Sequence, residues 1–174
     1  MAAVTKINIS TSTGPTNADA EATGIVYSRE DTPTGTTPIP KPSTAGTNFS
    51  WYKNLYLNVV SGGGTTSISN RKLSLASSPA TGLGLFFKDG TNTYTQAASG
   101  NKPTDDGAAD GATPSTYTAL TTTPQTYDAA SAAATNSTRN GNYAKVVLGV
   151  SSTYAGGAGA AITLPNLTLT YDEA

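Results

Sequence analysis

Leucine, isoleucine, valine and phenylalanine account for only 27 of 174 residues, about 15%. Folding must offset the entropy lost in ordering each residue, and burial of large apolar side chains is the main opposing term. A chain of this length can bury roughly 70% of its unfolded surface. Thr, Ser, Ala and Gly fill the rest. Disordered chains share such a low aliphatic content but also carry high net charge. This chain balances 10 basic against 11 acidic groups, for a formal net charge of −1. The expectation is one ordered domain with a thin core, modestly stable alone and gaining burial by self-association or by docking on a larger body.

The residues that are missing exclude much chemistry. With no Cys there is no disulfide scaffold, thiolate zinc site, iron–sulfur cluster or Cys nucleophile. With no His there is no Ser-His-Asp triad, imidazole acid–base group or His-ligated metal. Charged residues make up 12% of the chain and the basic ones are scattered, so no stripe is available for nucleic-acid phosphates. Asp105, Asp106 and Asp110 lack the alternating spacing and closing Glu of a calcium loop and read as a solvated polar loop. Glu30 and Asp31 are adjacent, so on an extended chain they point apart and do not share a proton. Gly62–Gly64 and Gly156–Gly159 lack the Lys-Ser/Thr of a phosphate loop and read as flexible turns. Sequons at Asn8, Asn48, Asn136 and Asn166 are what chance supplies in a chain saturated with Ser and Thr. No cofactor, metal, small-molecule substrate, nucleic acid or membrane is expected. Ala2-Ala3-Val4-Thr5-Lys6 after Met1 has no signal-like apolar region, and no run is long enough to span a bilayer.

Helical periodicity is nearly absent. Short alternating runs separated by Gly, Pro, Asn and Asp predict strands. These are Val4–Ile9, with Ile7 and Ile9 on one face, then Gly24–Ser28 and Trp51–Val60. In the last, Leu55, Leu57 and Val59 face the core beyond Lys53, opposite Tyr52, Asn54, Tyr56 and Asn58. Ser67–Ala76 follows, with Leu73 and Leu75 on one parity and Ile68 on the other, which predicts a bulge near Asn70. Leu83, Leu85 and Phe87 share a face in Gly82–Phe87. Asp89-Gly90 signals a hairpin returning over Thr91–Gln96. Asn140-Gly141 opens a strand over Tyr143–Val150. In Ala161–Tyr171 the parity flips at Pro165, predicting a bulge or edge. Thr32–Pro42, with Pro33, Pro38, Pro40 and Pro42, predicts extended polyproline conformation.

About eight short antiparallel strands at this spacing predict an all-β protein, a β-sandwich or jelly-roll-like body with extended N-terminal and loop arms. Residues 1–47 are expected to form an extended arm and Pro-rich segment with short strands, and 48–174 the sandwich, with a polar excursion at 97–140. That excursion either holds short strands around Tyr117 and Tyr127 or leaves the body; Ala129–Ala134 suits a helical turn. Nine Tyr against three Phe and one Trp give rings with an apolar body and a hydroxyl that needs a partner. Such rings suit half-buried strands and interfaces alike. The expected partner contacts are Ile7, Ile9, Tyr27, Pro38, Ile39, Pro40, Trp51, Tyr52, Tyr56, Tyr117 and Tyr127.

Phe49-Ser-Trp-Tyr-Lys-Asn-Leu-Tyr-Leu57 leading into Gly62-Gly-Gly64, then Ser67-Ile-Ser-Asn70 and the closing Leu164-Pro-Asn-Leu-Thr-Leu-Thr-Tyr171, carry a resemblance. In these segments, and in its Thr/Ser/Ala/Gly-rich style, the chain resembles small virion proteins of tailed bacteriophages, above all capsid decoration (cement) proteins. The resemblance implies a non-enzymatic β-sandwich, jelly-roll or barrel protein, often a homotrimer, bound to the major capsid protein of the same virus. Its place would be the outer capsid surface of the virion, after synthesis in the host cytoplasm. The Pro-rich segment and 97–140 do not map onto that pattern. The same composition also suits a tail, collar or fibre component, or a carbohydrate-binding β-module.

Overall fold

Alternating apolar residues bury one face of each strand, and two sheets facing each other are the simplest way to do so. The computed structural model describes residues 1–10, 25–28, 38–89, 94, 117–136, 138–156 and 162–174. In chain order these form β1 (Val4–Ser10), β2 (Thr47–Phe49), β3 (Lys53–Ser61), β4 (Ser67–Leu75) and β5 (Leu83–Asp89). Then come β6 (Thr118–Ala119), β7 (Gln125–Asp128), β8 (Ala132–Ala133), β9 (Thr138–Ser151) and β10 (Leu167–Glu173). No helix occurs among the described residues, and the protein is an all-β, sandwich-like fold of two antiparallel sheets.

The larger sheet has the order β1-β3-β9-β5-β6, with β2 also pairing β9. β9 is its spine: β3 and β2 lie end to end along one side and β5 along the other. The gap between β2 and β3 is bridged at Ser50. Its N–H donates to the Leu148 carbonyl, and its hydroxyl accepts the Leu148 N–H. The smaller sheet has the order β10-β4-β7, with β8 also pairing β4. Between the sheets, Leu73, Leu75 and Tyr127 pack against Ile9, Leu55, Leu85, Phe87, Val146, Leu148 and Val150. Leu57, Val59 and Ile68 extend the core toward the β3–β4 turn. There Gly63, at φ 62°, turns the chain so closely under the Met1 and Ala2 carbonyls that a Cβ would collide with them.

The bulge expected near Asn70 is present. Asn70 has φ 48°, and two β4 residues, Asn70 and Arg71, stand opposite the single β10 residue Tyr171. Several expectations are corrected. Residues 25–28 form no strand; they lie alongside the body, with the Ser28 carbonyl accepting the Trp51 N–H. The segment expected to make a helical turn at Ala129–Ala134 instead contributes β8, because Ala132 and Ala133 find β4 as a ladder partner. Residues 117–136 belong to both sheets, crossing from β6 to β7 where the Leu75 N–H donates to the Thr121 carbonyl. β9 does not begin after Asn140-Gly141 but runs through it from Thr138. β10 starts only after Pro165, leaving Ile162 and Leu164 as half-buried cover for the core. The Thr91–Gln96 return strand lies outside the described residues apart from Tyr94, which is not in a strand, and 97–116 lie wholly outside them.

Candidate functional site

A buried ion pair, Arg71 with Asp128, lies between the sheets. The Asn70 bulge shifts the parity of β4, so that Arg71 joins Ile68, Leu73 and Leu75 on the inward face, where it is fully buried. A second irregularity faces it. β9 inserts extra residues opposite β3 between Asn140 and Ala144, with Gly141 at φ 76°. A Cβ on Gly141 would lie 2.5 Å from the Arg71 guanidinium carbon, so only glycine lets the backbone approach the cation.

Every guanidinium donor of Arg71 is used. Nη1 donates to Asp128 Oδ2 at 3.0 Å and to the Ala130 carbonyl at 2.7 Å. Nη2 donates to the Ile68 carbonyl at 2.8 Å and to Asn140 Oδ1, and Nε donates to the same Asn140 oxygen at 2.8 Å. Asp128 Oδ2 also accepts the Asn142 N–H at 2.7 Å, and Oδ1 accepts the Ala130 N–H at 3.1 Å. The Asn140 amide donates onward to the Ala133 carbonyl at 2.8 Å. Burial lowers the Arg71 pKa, and the charge of Asp128 opposes that shift. An ion pair so completely hydrogen-bonded is a clamp joining β4, β7, β8 and β9. All five guanidinium donors and both Asp128 oxygens are engaged within it.

The outer face of the larger sheet is aromatic and polar. The rings of Tyr56 and Tyr143 meet edge to face at 5.8 Å, and Tyr94 meets Tyr143 at 6.2 Å. Lys145 Nζ sits 4.3 Å from the Tyr52 ring centre, and the Arg139 guanidinium 4.7 Å from that of Tyr143. Phe49, Tyr52, Tyr117 and Val147 form a further apolar cluster there, with Trp51 and Phe86 against it. Thus β3 is buried on both faces from Lys53 to Val59.

The structure places the eleven expected contact residues at different depths. Ile9, Tyr52, Tyr56, Tyr117 and Tyr127 are buried within the chain. Ile7, Tyr27 and Ile39 are half-buried against the inter-sheet core, and Trp51 against the outer aromatic cluster. Only Pro38 and Pro40 are exposed. The structure does not gather the eleven residues into one surface. The hydroxyls of Tyr27 and Tyr127 are buried with no hydrogen-bond partner among the described residues, and burial pushes both pKa values well above the ordinary tyrosine value. Burial, and then the charge of Asp128, also raises the Asp89 carboxyl.

Sequence reasoning missed Arg71, Asp128 and Asn140. The signal was present in the bulge itself: a parity shift at Asn70 carries the next residue, an arginine, into the interior, where it requires a carboxylate. Among the described residues there is no group of three acidic side chains able to hold a metal. No helix among them is long and apolar enough to cross a membrane. No family model, curated protein or solved structure matches this chain.

Proposed function

We propose that this protein is a non-enzymatic structural component of a phage-like virion, one that binds the outer capsid surface and braces neighbouring capsid subunits. The observation that carries the reading is the Arg71 clamp. This buried ion pair locks the two sheets together, with all five guanidinium donors satisfied internally. A body built this way works by shape and surface. A protein that binds the assembled shell but not its dissociated subunits stabilises the assembled state by mass action. Many weak contacts repeated by symmetry add up to firm attachment. The resemblance of the Phe49–Leu57 and Leu164–Tyr171 segments to decoration proteins supplies the capsid as partner.

Cryo-electron microscopy and quantitative mass spectrometry of purified particles test the proposal. Copies on the order of hundreds on the outer shell support it. Copies confined to the tail or neck, or absence from the particle, overturn it.

A further inference from the structure

The geometry points to β10 as a self-pairing edge through which two copies of this chain join their smaller sheets about a two-fold axis. β10 ends the order β10-β4-β7 among the described residues. On its inner side the Ala76 N–H donates to the Asn166 carbonyl, and Ser67 and Ala174 exchange reciprocal backbone bonds. Even-numbered residues of this strand therefore point their backbone groups at β4. Strand alternation then turns the N–H and C=O of Leu167, Leu169, Tyr171 and Glu173 toward the open edge. The same residues send their side chains inward, where Leu167, Leu169 and Tyr171 remain only half-buried against the core. The open edge is thus flanked by an apolar rim.

The occupant that fits is a second copy, because the strand is complementary to itself. In an antiparallel pair centred on Thr170, all seven residues find partners: Leu167 meets Glu173, Thr168 meets Asp172 and Leu169 meets Tyr171. The two acids fall opposite neutral residues, so no like charges face one another. Leu169 and Tyr171 form aliphatic–aromatic pairs across the axis on the rim. Centring on Leu169 would instead place Pro165, which has no N–H, in the ladder. β10 carries no Lys, Pro or bulge residue of its own to blunt the edge. A two-fold contact also differs from the trimer implied by the family resemblance, and it requires no virion.

The absence of cysteine allows a direct test. Thr170 and Thr168 are both exposed. On the axis, two Thr170→Cys thiols stand at a non-hydrogen-bonded pair, within disulfide reach; two Thr168→Cys thiols stand on the order of 13 Å apart. We expect a concentration-dependent dimer in sedimentation velocity. Mild oxidation should give about tenfold more covalent dimer for Thr170→Cys than for Thr168→Cys. Leu169→Pro removes an edge-facing N–H together with a half-buried leucine side chain, and should yield a monomer that is less stable but keeps the circular dichroism of the fold. A chain that sediments as a monomer or trimer overturns the inference. So do equal cross-linking of the two cysteine variants and a dimer unaffected by Leu169→Pro.

Discussion

Arg71 Nη1 lies 3.0 Å from Asp128 Oδ2, and the two side chains are 0% and 3% exposed. Removing one member of a buried pair leaves an uncompensated charge, at a cost of about 3–5 kcal/mol. Asp128→Ala and Arg71→Met should each lower Tm by on the order of 10 °C in a chain of this size. The double variant Arg71→Met/Asp128→Leu should be less destabilised than the sum of the single changes. Calorimetry checks this; additive losses would show that the pair does not act as a unit.

Gly141→Ala tests the same clamp from its backbone side. The residue sits at φ 76°, and an added Cβ would meet the Arg71 guanidinium and the Asp128 carboxylate. A loss of about 1–3 kcal/mol is expected from strain alone, read as a lower urea midpoint with unchanged slope.

Tyr52 and Tyr56 look like contact residues by type, yet both are 1% exposed. Tyr52→Ala and Tyr56→Ala should each cost on the order of 3 kcal/mol of folding stability. Pro38→Ala, at an exposed position, should stay within about 0.5 kcal/mol of the parent. Denaturation curves of the isolated chain separate the two classes without any partner present.

Alkaline pH should unfold the protein through its buried phenols. Tyr27 and Tyr127 have folded pKa values raised by burial above the ordinary tyrosine value of about 10. Below that pH their contribution to stability is complete. As pH rises from about 10 toward the folded values, the unfolded state sheds protons that the folded state retains, and stability falls. Phenolate absorbance should stop short of the nine tyrosines in the sequence until the circular dichroism of the fold is lost. Full ionisation with the fold intact would contradict this.

The all-β class was legible because the alternation in Trp51–Val60, Ser67–Ala76 and Gly82–Phe87 is strong, and the mismatch of Ile68 with Leu73 located the bulge at Asn70. The core itself was misjudged. Counting aliphatic residues overlooked five tyrosines, at 52, 56, 117, 127 and 143, that are buried as core material. Because both faces of β3 are covered, its two sets of residues could not be sorted into core and surface by period alone. β6 and β8 are two residues long and held by neighbours distant in sequence, so no local pattern marks them. The clamp was hidden for the same reason: Arg71, Asp128 and Asn140 are brought together by two bulges, and bulge geometry is set by tertiary pairing.

The proposed bracing role is tested most directly by the temperature at which particles release their genome, measured by dye access with and without this chain. Particles lacking it should open at a lower temperature, and adding back the purified protein should restore the original value. Particles that open at the same temperature either way, and that fail to bind the added chain, would contradict the account.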